Sequence, residues 1–502
     1  MSSGELDTMA TSLVTSSPQG CYVDVPMQIQ RRTADPGWFV LLASLGGMLT
    51  LVGTYWDDAW HTDRGRDSFF AVPHLALYAG VFVALAGVSL AGRTISGRGR
   101  AMAVSGAIAV LVSAPIDEAW HALFGRDAVL WSPPHMLAVA ASLLLATGIL
   151  MLAADVGGRV GVAARALAAA GVIGALQVPV LEYDSDVPQF ATVWYLPVAV
   201  LGWLIAVRII RNVMHDTGGL VVAAATYTAA RIGVVFLLVG LDHSLTVIPP
   251  VLLFAVLHHL IDRVPVARRW VLPVEAVACT LVWFGWLEVL GDAAASLTRA
   301  DLFFGLVVAA VAATAVSMWT PGWQARSGVA AATSFLVLGV LSAPAFAHDP
   351  GQGPPRHDAR IEAQRTSGTM VAIELEVPRP CDDLDPVRTV ARRSGDEVIG
   401  PLQRSTSPCR FLGSVDAAPT GRWFVYTELD SPDGRIETWI ALDDSTTSAS
   451  IDRALYSPPT GGGGAPRIVV AGVLYLAVAL LVVWALIGTR MTAPPTARPN
   501  VD

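Results

Sequence analysis

Two stretches of the 502-residue chain carry the same chemistry-bearing residues in the same order: WDDAWHTDRGRDSFFAVPH at 56–74 and IDEAWHALFGRDAVLWSPPH at 116–135. Asp57, Trp60 and His61 correspond to Asp117, Trp120 and His121. Gly65-Arg66-Asp67 corresponds to Gly125-Arg126-Asp127, and Pro73-His74 to Pro134-His135 after one inserted residue. In each copy the Asp and the first His are four apart at the end of a predicted helix, so they share a face one turn apart. Proline then opens the next helix with the second His beside it. A loop folding back brings that imidazole to the first pair. The product is one carboxylate and two imidazoles, a ligand set that suits Cu(II), Zn(II) or Fe(II). Polar residues at helix ends are common in the headgroup zone, but the same spacing in two copies, with charge at membrane depth, favours a functional site.

The elements that position these residues are membrane helices. Hydrophobic residues make up 53% of the chain and charged residues only 15%, with a mean hydropathy of +0.54. Soluble domains carry about 25% charged residues. The net charge of −8 offers no basic footprint for nucleic acid. All 33 fixed cations are arginine, so lysine Schiff-base and P-loop lysine chemistry are excluded. The four cysteines (Cys21, Cys279, Cys381 and Cys409) form no CxxC, which excludes thiolate zinc and thioredoxin-like sites.

Crossing a bilayer takes roughly 20 apolar residues. Twelve stretches approach this: 37–56, 73–92, 101–121, 134–154, 163–182, 190–210, 218–241, 248–262, 269–290, 302–319, 328–347 and 467–489. Arginines cluster in alternate connections (Arg31/Arg32, Arg93/Arg98/Arg100, Arg159/Arg165, Arg208/Arg211, Arg263/Arg268/Arg269, Arg326 and Arg490). The positive-inside rule makes those connections cytoplasmic. The expected organisation is a polytopic α-helical membrane protein of about 12 spans with both termini cytoplasmic, in the inner membrane of a bacterium. Residues 1–36 read as a disordered tail without a signal peptide, 37–347 as a bundle of about 11 helices, and 348–457 as an exported β-sandwich. Residues 458–466 read as a Gly/Pro linker, 467–489 as the last helix, and 490–502 as a second tail. The outer segment earns its strands from alternation in GTMVAIELEV and GRWFVYTEL, with Asp433-Gly434 as a hairpin turn. An exported location permits a disulfide between Cys381 and Cys409.

Other groups fall on the same predicted outer side. Glu182, Asp184 and Asp186 follow the fifth span, and Asp242-His243 follows the seventh. Each cluster precedes a proline and another helix, as degenerate echoes of the unit. Asp242 and His243 are therefore further candidate ligands, and Glu182 and Asp184 are candidates to ligate or to relay protons. Arg66/Asp67 and Arg126/Asp127 would bracket the loops and orient the ligands. His258-His259 lie deeper, as a hydrogen-bonded core pair or part of an ion path. Ala345-Phe346-Ala347 resembles a signal-peptidase site, and cleavage there would free His348 as a copper-chelating N-terminus. His348 and His357 together would make an accessory site in the outer domain.

The pattern D-x2-W-H-x4-R-D-x5-P-H at Asp57–His74 resembles the metal-site motif in the C subunit of copper membrane monooxygenases, the particulate methane and ammonia monooxygenase family. In that family Asp, His and a later His, spaced D-x3-H-x12-H, bind copper within the membrane. Asp57, His61 and His74 keep that spacing; Asp117, His121 and His135 keep it with one extra residue. The likeness covers under a tenth of the chain. The family subunit carries one motif and works with separate A and B subunits, whereas this chain carries two and a fused outer domain. That outer domain loosely resembles the cupredoxin-like part of the B subunit and small copper carriers.

The resemblance implies a copper-dependent membrane monooxygenase acting with O2 on a small apolar substrate from lipid, with an external donor such as quinol. It also implies partner subunits of monooxygenase type or a homo-oligomer. The alternative is a non-enzymatic protein for copper transport, storage or delivery. The third reading is a structural or assembly protein whose repeats are polar bundle glue. Zinc or iron would keep the site and break the family link.

Overall fold

The structure is a computed structural model. It describes residues 36–64, 69–91, 97–124, 130–185, 192–215, 217–264, 268–290, 295, 297–317, 355–393, 396–418, 422–442, 446–457 and 465–489. Helices are α1 (Pro36–Arg64), α2 (Val72–Ala91), α3 (Arg98–Phe124), α4 (Pro133–Ala154), α5 (Gly158–Gln177), the short α6 (Leu181–Asp184), α7 (Tyr195–Met214), α8 (Thr217–Gly240), α9 (Val251–Ile261), α10 (Arg268–Leu290), α11 (Arg299–Ser317) and α12 (Ala465–Gly488).

Among the described residues, nine helical segments are long and apolar enough to cross a membrane. Of the twelve expected spans, the stretch at 248–262 yields only the 11-residue α9. Pro249-Pro250 delay its start and Asp262-Arg263 end it, so it rises about 16 Å, half a bilayer core. The stretch at 302–319 is helical as α11 but is not among the nine. The stretch at 328–347 lies outside the described residues.

The sequence duplication is a structural one. Helix α1 packs along α2, and α3 along α4. Small residues permit both close approaches. A Cβ on Gly46 would collide with the backbone of Gly80 and Ala84; one on Gly106 would collide with that of Ala141 and Leu145. Interhelical seams of this kind are usual in membranes, where packing rather than water exclusion drives association. Helix α4 is apolar on every side and buried over most of its surface, which suits a central position. Helix α5 packs on α1, α4 and α8, and α12 packs on α4.

Residues 355–456 form two antiparallel sheets. One has the order β1-β11-β9-β8-β4-β5 and the other β10-β2-β3-β7-β6. The strands are β1 (Pro355–His357), β2 (Arg360–Ser367), β3 (Met370–Glu376), β4 (Asp385–Arg393), β5 (Asp396–Gly400), β6 (Leu402–Arg404), β7 (Arg410–Asp416), β8 (Trp423–Ser431), β9 (Gly434–Leu442), β10 (Ser448–Asp452) and β11 (Leu455–Tyr456). Ile361, Ile373 and Phe411 of the smaller sheet share a core with Val425, Ile440 and Leu442 of the larger. Strands β8 and β9 are joined at Asp433-Gly434, where Gly434 has φ of 111°, a conformation glycine adopts without strain. Cys381 and Cys409 form a disulfide with Cα atoms 5.5 Å apart.

The β region meets the bundle at the end of α1. Arg453 Nη2 donates to the Asp63 carbonyl at 2.7 Å, and its guanidinium lies 3.5 Å from the Trp439 ring centroid. Burial pushes the Arg453 guanidinium down to about 10, so it stays charged at neutral pH.

Candidate metal centre

Asp57 and His61 lie on the last turns of α1, and His74 lies on the first turn of α2. The chain reverses between them, so the hairpin itself closes the triad. His74 Nε2 is 3.1 Å from Asp57 Oδ1, and His61 Nε2 is 3.6 Å from the same oxygen. One ligand atom from each of the three lies within 4.8 Å of the other two. Among the described residues this is the one cluster of three His, Cys, Asp or Glu side chains so arranged. Asp57 Oδ1 is buried and accepts no well-directed hydrogen bond, although both imidazoles approach it. Two imidazole nitrogens and a carboxylate oxygen converge closely enough to fit a cation with two nitrogen ligands and one oxygen.

The second copy repeats the central contact. His135 Nε2 is 3.2 Å from Asp117 Oδ1. His135 follows Pro133-Pro134 at the start of α4, where the Ser132 hydroxyl accepts from the His135 backbone N–H at 3.4 Å. His121 lies on the last turn of α3, and its side chain is outside the described residues.

The two copies face one space. A cavity of about 150 Å³ is lined by Asp57, Asp58 and His61 of the first copy, His135 of the second, and Glu182. Away from these groups it becomes apolar, between Leu51, Leu77, Val110, Val139 and Leu145. Glu182 Oε1 accepts the backbone N–H of Leu130 at 2.9 Å. That bond ties the α5–α6 end to the loop that delivers His135. The same loop is held from a second side: Trp131 Nε1 donates to the Pro179 carbonyl at 2.8 Å, and the Tyr475 hydroxyl of α12 donates to the Trp131 carbonyl at 2.5 Å.

The remaining candidates fall elsewhere. His243 Nδ1 is 2.9 Å from Asp63 Oδ2, and the Ser244 backbone N–H donates to that oxygen at 2.8 Å. His243 therefore clamps the α8–α9 connection to the end of α1, with the Trp60 ring 5.6 Å away. Asp242 is an exposed turn residue with φ of 56°. His357 lies on β1. Arg66, Asp67, Arg126, Asp127, Asp186 and His348 lie outside the described residues. His258 and His259 make separate bonds: His258 Nδ1 to Glu275 Oε2 at 2.9 Å, and His259 Nδ1 to Thr217 Oγ1 at 3.1 Å.

Sequence reasoning missed several polar groups near the site. Asp58 faces the cavity beside Asp57, and its Oδ2 is buried without a hydrogen-bond partner. Arg231 is buried with its guanidinium 3.7 Å from the Tyr55 ring centroid, and Tyr55 and Tyr227 share a hydroxyl–hydroxyl bond of 2.8 Å. The available signal was an arginine in the middle of an apolar run, where charge is expensive. No protein-family model and no curated protein matches the chain.

Proposed function

We propose that this is a copper-binding integral membrane protein, a relative of the copper-dependent membrane monooxygenases, acting with O2 on a small apolar substrate. The observation that carries the reading is the cavity with a His/Asp ligand cluster at one end and an aliphatic wall at the other. Asp57, His61 and His74 would hold the ion. Bound copper would supply one-electron chemistry toward O2. The aliphatic section between Leu51, Leu77 and Val139 would orient a substrate of a few carbon atoms and exclude water. Asp58 and Glu182 would hold or pass protons at the polar end. An N2O ligand set also suits iron(II); copper is favoured by the duplicated D-x3-H-x12/13-H spacing.

In this reading the Arg-rich connections face the cytoplasm of a bacterial cell, both termini are inside, and the β region is exported as a sandwich. Helix α11 would be a further span beside the nine, with α9 entering the bundle only part way. Because His135 and Glu182 line the cavity that Asp57 opens into, the two copies would serve one reaction space.

Copper delivery is the second reading, favoured by His258 and Glu275 deeper in the bundle. Those two groups bond to each other and to Trp203 and Arg211, an arrangement that leaves an ion few donor atoms to hop between.

The test is elemental analysis of protein purified in mild detergent, alongside His61→Ala/His74→Ala. One or two copper ions per chain, lost in the double variant, supports the reading. Iron or zinc at that stoichiometry replaces the metal and the family link. Metal retained in the double variant overturns the site.

A further inference from the structure

The largest fully buried side chains away from the metal cluster form a line. Tyr183 follows the cavity residue Glu182 and stacks on Tyr195, with ring centroids 4.9 Å apart and planes 12° from parallel. Tyr195 meets Trp283 at 5.9 Å, Trp283 meets Phe254 at 5.5 Å, and Phe254 meets Trp203 at 5.7 Å. Each of these five rings is at most 2% exposed.

The second ring of the line, Tyr195, and its last, Trp203, are each coupled to a proton acceptor. The Tyr195 hydroxyl donates to Asp184 Oδ1. Trp203 Nε1 donates to Glu275 Oε1 at 3.0 Å. Glu275 is fully buried, and its other oxygen meets His258, which in turn meets Arg211 Nη1 at 3.1 Å. Arg211 reaches Asp262 at 3.3 Å, where both side chains are about one-third exposed. From Tyr195 to Arg211 the axis of α7 rises about 24 Å, most of a hydrocarbon core of roughly 30 Å. Packing alone explains buried aromatic rings. It does not explain why carboxylates, costly at this depth, sit on the phenol and indole protons of two rings in one contiguous stack.

We propose that Tyr195, Trp283 and Trp203 form a one-electron relay between the cavity and the opposite membrane face, with Tyr183 and Phe254 as bridging rings. The proposal rests on the oxygen-activating reading of the cavity. An oxidant generated there from O2 takes one electron from Tyr195, whose O–H bond breaks as the proton passes to Asp184. The tyrosyl radical takes an electron from Trp283, and the proton returns from Asp184. Trp283 is refilled from Trp203, whose indole proton is held by Glu275 until Trp203 is itself reduced. The last electron comes from a lipid-soluble hydroquinone at the Arg211 end, which yields two electrons in two steps and two protons to water. Per electron, the oxidant is reduced, half a hydroquinone is oxidised, and no residue is altered. The relay would discharge the cavity when no substrate occupies it.

The experiment uses full-length protein stripped of metal, so it is independent of what the cavity binds. A ruthenium polypyridyl photosensitiser is attached to a cysteine introduced by Asp262→Cys in a Cys21→Ser background; the native Cys279 is buried. After a flash with persulfate as electron acceptor, radicals are identified by electron paramagnetic resonance. The expected result is a tyrosyl signal that vanishes in Tyr195→Phe, leaving a tryptophanyl signal. It should fall by an order of magnitude in Trp283→Phe and in Trp203→Phe, variants that keep an aromatic ring in place. A tyrosyl signal unchanged in both tryptophan variants overturns the relay, as does its absence from the parent protein. Metal analysis that failed to find copper while the radical migrated would overturn the cavity reading and leave the relay standing.

Discussion

Two polar clusters lie inside this bundle, and they differ in what their hydrogen-bonding atoms are doing. Around Glu275 every partner is accounted for: one carboxylate oxygen takes Trp203, the other meets His258, and His258 meets Arg211. Around Asp57 the ring nitrogens of two histidines converge on one carboxylate oxygen, at 3.1 and 3.6 Å, beside an open cavity. The first arrangement is stable as it stands. The second puts three electron-rich atoms together and gains most from a cation. Residue types alone would rank the two equally; the geometry separates a cluster with its partners in place from one that a cation would complete.

The largest effect is expected at Glu275. Glu275→Ala leaves the Trp203 indole N–H and His258 without their acceptor, and should cost about 3 kcal/mol of stability in detergent, read by thermal unfolding. Metal content should hold. If the variant melts with the parent, the cluster is not a structural network. The reverse pattern is expected of Asp57→Ala: metal affinity falls about a hundredfold, about 2.8 kcal/mol by titration, with the metal-free melting temperature unchanged. A large loss of metal-free stability would move Asp57 into the first class. Glu182→Gln offers a finer contrast, because the amide still accepts from Leu130 but removes an ionisable carboxyl facing the cavity. Metal affinity should drop about tenfold with little change in melting. The smallest effect is expected at the β region. Arg453→Met should cost about 1 kcal/mol and raise hydrogen exchange at the end of α1, since the Asp63 carbonyl loses its donor. Metal affinity in that variant should stay at the parent value.

The sequence made the first hairpin of the site legible and left its surroundings hidden, for a physical reason. The Asp57–His61 pair is local, set by one helical turn, and His74 is brought in by the next proline. Such relations are written in spacing. That Glu182 would cap the Leu130 N–H, or that His135 would face the cavity opened by Asp57, depends on packing α1, α4 and α5 together. Small residues encode that packing without saying which faces meet. His243 shows the same limit: its partner, Asp63, lies outside the repeated pattern and is joined to it only by the fold. The short α9 also eluded hydropathy, because apolar residues flank Pro249-Pro250 and extend the signal past the helix.

The bond from Tyr475 to Trp131 has a bearing on how the protein is made. It spans 344 residues, and its donor lies on α12, which follows the β region in the chain. The loop that presents His135 is therefore latched only after residues 355–456 have been synthesised. Until then the loop is held by its bonds to Glu182 and to the Pro179 carbonyl, both on earlier parts of the chain. A chain still being made thus carries the early tethers of that loop before the late one.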